Sequence, residues 1–133
     1  MSRRKAREIA FKVIFQFDQV QAEPRKAFDN LIESEKLAQR DQSFSWELVE
    51  GVLQKMPVID SKIASYSRDW AVDRMASVDR NIMRLAGYEI MYTDHSEPVV
   101  AIDEAIEIAK RYGDEGSASF VNAILDKLLG DKA

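Results

Sequence analysis

Apolar residues recur along this chain at intervals of three and four, the period of helices buried along one side, and nowhere alternate long enough to suggest a strand. The pattern predicts about seven helices. The first spans residues 3–20, with Ile9, Val13, Phe17 and Val20 as its core stripe. Pro24 suits the first turn of a second, which reaches residue 39 and turns Phe28, Leu31, Ile32 and Leu37 inward. A third, over 44–56, buries Phe44, Trp46, Leu48 and Val52, and Pro57 is expected to separate it from a short fourth over 58–67.

Residues 70–76 read as a linking turn, and Ser77 is placed as the N-cap of a fifth helix through Val78, Ile82, Leu85, Ala86 and Tyr92. Pro98 opens the sixth. There Ile102, Ala105, Ile106, Ala109 and Tyr112 fall on one side, and Asp103, Glu104, Glu107, Lys110 and Arg111 on the other. Glu107 and Arg111 have the spacing of a surface ion pair, and Gly113 stands just past the helix end. The seventh runs over 115–129 with Phe120, Val121, Ile124, Leu125 and Leu128 inward, and Gly130 ends it. Short linkers favour antiparallel neighbours, so the expected fold is all-α and bundled.

A chain of 133 residues with 46% hydrophobic content is long and apolar enough for one self-sufficient domain. It has no cysteine and one histidine, His95, which excludes disulfides, thiolate catalysis and a His/Cys zinc site. No run approaches the roughly 20 apolar residues that span a bilayer, and the start lacks a signal-peptide core. A soluble intracellular protein without a cofactor is the expectation. Nothing resembles a hydrolase constellation or a Gly-rich phosphate loop, so no enzyme is expected.

Charge changes the picture. The net charge is −4, yet the first twelve residues carry Arg3, Arg4, Lys5, Arg7 and Lys12 against Glu8 alone, a local +4. A basic cluster on an acidic protein is a local device, and its usual client is a phosphate backbone. On the helical wheel Arg4, Phe11 and Phe15 lie roughly opposite the core stripe, with Arg7 at the edge of that sector. Cations beside rings suit unpaired nucleic acid, where rings offer stacking platforms. The alternative is that Phe11 and Phe15 face a second layer of core and the arginines are simply solvated. A membrane surface fits poorly, because the acidic remainder would be repelled.

Glu89 falls within the apolar stripe of the fifth helix, where a carboxylate needs a partner such as an arginine or backbone donors. His95 reads as an exposed loop residue. Near the start of the last helix, Phe120 and Asn122 lie close to free backbone N–H groups that favour phosphate, a weak signal alone.

Four segments, in order along the chain, resemble the NusB family of bacterial transcription antitermination factors. They are RRKAREIA at 3–10, RLAGYE at 84–89, AIDEAIEIAKRYG at 101–113 and SFVNAILDK at 119–127. The resemblance implies two small helical bundles packed across each other, about 1–56 and 58–130, within one domain over 1–133. It implies a cytoplasmic protein that binds boxA RNA together with NusE, a small-subunit ribosomal protein. With other Nus factors it would join RNA polymerase and support ribosomal RNA transcription. By position, Arg3, Arg4, Lys5 and Arg7 match the basic RNA grip, and Phe15 stands where many relatives place a tyrosine. Phe120 and Asn122 match a second RNA-facing site, and Asp79 is placed on the NusE surface. Both a monomer and a homodimer are open, and the same domain occurs fused ahead of RNA methyltransferases. A module that binds only proteins, its basic arm incidental, is a further alternative. Asp103 replaces a usual asparagine, Ala123 a common glycine, and the tail is short.

Overall fold

The computed structural model describes residues 2–68 and 70–132, and among these it contains six α-helices and no strand. They are α1 (Ser2–Val20), α2 (Pro24–Ser34), α3 (Gln39–Tyr66), α4 (Ser77–Tyr92), α5 (Pro98–Tyr112) and α6 (Ser117–Lys132), with a 3₁₀ turn at Val72–Arg74 before α4. The prolines at 24 and 98 each occupy the first helical turn, where the missing N–H has no intrahelical partner to lose. No helix of the described residues is long and apolar enough to cross a membrane.

The expected count of seven is corrected to six because Pro57 does not break the chain. It lies inside α3, on the exposed side. It removes one backbone bond, to the carbonyl of Leu53, but the stripe Leu48, Val52, Ile59 and Ile63 stays in phase across it and is buried to 1% exposure or less. Continuous burial outweighs one lost bond. The second helix ends earlier than expected, at Ser34, because Lys36 turns left-handed at φ 57°. Leu37 N–H then donates back to the Ile32 carbonyl at 3.1 Å while its side chain is buried, a Schellman-type stop without the usual glycine. Ala38 becomes the N-cap of α3, and Ala76 rather than Ser77 caps α4.

Helix α4 is the centre. Every residue from Asn81 to Gly87 is buried, and α1, α3, α5 and α6 all pack on it. Where α3 passes, Gly51 lets the Tyr88 ring approach so closely that a β-carbon would lie 2.0 Å from it. Buried side chains from all six helices form one continuous core. One end of α1 is tied down by Asp18, which accepts from Arg80 at 2.7 Å and from Asn81 at 2.9 Å. Arg84 extends the network to Asp60 of α3 with two bonds of 2.8 Å. Burial pushes the Asp18 carboxyl up, but the bonds from Asn81 and Arg80 and the two guanidinium charges outweigh it and hold it below the ordinary range.

Candidate nucleic-acid interface

Helix α1 is enclosed on more sides than its wheel suggests, since α2, α3, α4 and α5 all touch it. Arg7, Phe11 and Ile14 share one stripe at spacings of four and three, and all three are buried. Phe11 is thus core, 5.7 Å from the Tyr112 ring and 5.9 Å from Phe15. At the far end the expected core residue Val20 is instead 71% exposed.

Arg7, expected on the RNA grip, is only 4% exposed. Its Nε and Nη2 donate to both Glu89 carboxylate oxygens at 2.8 and 2.9 Å, and Nη2 also donates to Ser96 Oγ at 3.1 Å. This is the partner that buried Glu89 requires.

Arg3, Arg4 and Lys5 remain at the surface, in the first turns of α1. No acid accompanies them in the first turn, so three cations crowd the positive end of a helix dipole. That placement opposes stability and suits an anionic ligand. Arg3 sits over the Phe44 ring at 3.9 Å, and exposed His95 meets the same ring edge-on. Arg4 donates through Nε and Nη2 to the two carboxylate oxygens of Glu104 on α5, at 2.8 and 3.0 Å, with 56% of its side chain still exposed. The bond from Arg4 holds the Glu104 carboxyl below its usual range.

Farther along α1 the same rim continues. Glu8 accepts from Arg111 Nη1 at 2.7 Å and from the Tyr112 hydroxyl at 3.0 Å, and Lys12 donates to Glu35 at 2.5 Å. Arg111 therefore pairs with Glu8 across the interface rather than with Glu107, whose neighbour is Lys110. A cleft of about 250 Å³ between α1 and α5 is lined by Arg4, Glu8, Glu107, Ile108, Lys110 and Arg111. Half-buried Phe15 lies on the Arg4 side of α1, one ring beyond Phe11. The two α5 cations at this cleft were not foreseen, because their helical face alone reads as solvated.

The second expected contact region is elsewhere. Half-buried Phe120 opens onto a separate groove of about 280 Å³ whose other lining residues include Trp70, Arg74, Asp79 and Asp114. Half-buried Asn122 follows on α6 but does not line it. Before this helix start the turn is closed by its own side chains: Asp114 N–H donates to Ser117 Oγ, which donates in turn to Asp114 Oδ1. Gly113 makes that turn possible, since a β-carbon there would lie 2.4 Å from Ser117 Oγ. Asp79, expected on a partner surface, is 7% exposed, and its Oδ1 has no hydrogen-bond partner. Burial pushes its carboxyl up, outweighing a side-chain hydrogen bond with Ser117 that favours the charged form, and Asp114's charge adds to the rise. Trp70 and Arg74 of this groove also escaped the sequence reading, which took 70–76 as a plain link.

A family model described as the NusB family matches residues 4–129. A transcription antitermination protein NusB of Syntrophomonas wolfei is 70% identical over 132 residues, covering 99% of this chain and 98% of the relative. Its counterpart from Oceanobacillus iheyensis is 46% identical, covering 97% of this chain and 99% of its own length. Among solved structures, T. maritima NusB superposes with a TM-score of 0.90 at 35% identity, covering 97% of this chain and 91% of that one. A chain from a crystal structure of antitermination factors NusB and NusE in complex with double-stranded RNA also scores 0.90, at 26% identity, covering 98% of this chain and 97% of that one.

Proposed function

The chain belongs to the NusB family of transcription antitermination proteins, and from that premise we propose that it binds boxA RNA together with NusE. The observation that carries this reading is the meeting of exposed Arg4 on α1 with Lys110 and Arg111 on α5, beside exposed Arg3 and Lys5 in the same first turns, on a protein whose net charge is negative. Phosphates track this cation-lined rim, and Phe15, at its end, stacks an unpaired base. Phe120 and Asn122 on α6 contribute a second contact region. Arg7 stays out of the RNA and positions α1 against α4. The structure of NusB and NusE with RNA supports the pairing with NusE by analogy.

NusE docks on the half of the molecule built from α4, α5 and α6, and a NusE side chain reaches Asp79 only by entering the Phe120 groove. We retain two bundles, about 1–56 and 58–130, sharing the uninterrupted α3. The heterodimer joins RNA polymerase with other Nus factors in the cytoplasm and supports ribosomal RNA transcription, as an adaptor without catalysis.

A fluorescence-anisotropy titration of labelled boxA RNA with this protein, with NusE and with both tests the reading. The pair is expected to bind more tightly than either component, with affinity falling as salt rises. Equal affinity of NusE with and without this protein overturns it.

Glu104 competes with phosphate for Arg4. Glu104→Gln is expected to raise RNA affinity about two- to fivefold, the range set by an exposed ion pair. Unchanged or weaker binding in the same titration would show that the Arg4–Glu104 pair does not oppose RNA.

A further inference from the structure

The cleft between α1 and α5 is built of mixed charge. Arg4, Lys110 and Arg111 line it together with two carboxylates, Glu8 and Glu107, over a floor closed by buried Ile108. A site shaped for a bare anion would keep carboxylates away, so the phosphate grip leaves both acids unexplained. Their states differ. Glu8 is engaged: its oxygens accept from Arg111 Nη1 and from the Tyr112 hydroxyl, and its side chain is 12% exposed. Glu107 is 49% exposed, its carboxylate makes no hydrogen bond among the described residues, and Lys110 Nζ stands 3.8 Å away. The cleft therefore presents one accessible carboxylate that only accepts, beside cations whose side chains are more than half exposed.

We propose that the cleft takes one ribose and its 3′-phosphate from a single RNA strand, the 2′-hydroxyl donating to the Glu107 carboxylate and the phosphate lying against Arg4 and Arg111. The inference rests on the RNA-binding reading and deepens it, making Glu107 a residue that distinguishes RNA from DNA.

Three observations favour a sugar with its phosphate. An amphoteric lining suits a ligand that carries an anion and a neutral donor together, and an acidic side chain recognises a ribose 2′-hydroxyl in dinucleotide sites in the same way. Glu107 and Arg111 stand one helical turn apart, a rise of about 5.4 Å. The 2′-hydroxyl and the 3′-phosphate leave adjacent ribose carbons, so one residue can take each. The volume, about 250 Å³, is below the roughly 300–1,000 Å³ of pockets that enclose whole small ligands, so the base stays outside. Continuity settles the choice between nucleic acid and protein, because Arg4 belongs both to this cleft and to the basic first turns of α1. A deoxyribose offers Glu107 no donor and leaves its charge facing the strand unpaired.

The test scans labelled boxA RNA, bound by this protein and NusE together, with one 2′-deoxy sugar at a time, read by anisotropy. A parallel set carries 2′-fluoro sugars, which keep the RNA pucker but have no donor. In the unsubstituted protein one position should lose about tenfold in affinity in both sets, the cost of a hydrogen bond to a charged acceptor. With Glu107→Ala the loss at that position should shrink to within about twofold, while losses elsewhere persist. Alanine suits an exposed helical position, so the melting midpoint should not fall. Identical scans in the two proteins overturn the ribose contact and leave RNA binding intact. A loss in the deoxy set alone traces to sugar pucker and overturns it as well. Weaker NusE binding by Glu107→Ala without RNA assigns the cleft to the protein partner instead. Failure of every RNA to bind, with NusE present, removes the underlying reading too.

Discussion

Glu89→Ala should lower the folding stability of this protein by about 3–5 kcal/mol, the cost of stranding a buried charge. The guanidinium of Arg7 is enclosed between α1 and α4, and both its bonds to Glu89 are shorter than 3 Å. With the carboxylate gone, Ser96 Oγ would be the one hydrogen-bond acceptor left of those that Arg7 uses here. For a chain of this length the melting midpoint should fall by about 10–20 °C, read by thermal and urea unfolding. A loss below about 1 kcal/mol would mean that the pair is hydrated and unimportant. Arg7→Met combined with Glu89→Leu should recover most of the stability, since a buried ion pair and a well-packed apolar pair are often equivalent. That double variant also separates two roles for Arg7. Near-normal RNA affinity makes it a positioning residue, and a collapse of affinity in a folded protein would return it to the RNA surface.

The second large effect concerns affinity rather than stability. Removing the exposed cations together, as Arg3→Ala, Arg4→Ala and Lys5→Ala, should weaken RNA binding about a hundredfold at 0.1 M salt. Each phosphate contact to a single strand contributes roughly 0.7 to the slope of log affinity against log salt, so three account for about 2. The slope should flatten by that amount. Stability should change little, because the Arg4–Glu104 pair is solvent-exposed on the arginine side and the helix dipole is relieved of opposing charge. An unchanged slope would remove these residues from the phosphate grip, whatever happened to the affinity.

The local pattern read well where a residue acts through its own backbone. Pro24 and Pro98 start helices because proline lacks the one donor those positions do not use. Gly113 ends α5 as expected, although its backbone is extended rather than left-handed. Lys36 was invisible, because its left-handed turn is set by what Leu37 gains on burial and not by any preference of lysine. Pro57 misled for the converse reason. Its local cost is real, but the apolar stripe stays buried on both sides of it, against α1, α4 and α6.

The candidate site divides along the same line. That the amino-terminal run is basic, and that Arg3, Arg4 and Lys5 stand together on a first turn, follows from sequence and helical phase alone. So does the need of Glu89 for a partner, since no carboxylate sits within an apolar stripe unaided. Which arginine would answer it did not follow. Arg4 and Arg7 are three residues apart on one helix, yet Arg4 meets Glu104 at the surface and Arg7 meets Glu89 in the interior. The difference lies in where α4 and α5 cross α1, 82 to 100 positions away along the chain. The Trp70–Phe120 groove is likewise a product of elements that share no local signal. Helices, their polar faces and a local surplus of positive charge in the first twelve residues were determined by the sequence itself, through interactions spanning a few residues. The tertiary structure alone decided which of those charges are buried as partners and which stay at the surface, because burial depends on what distant helices bring to the same place.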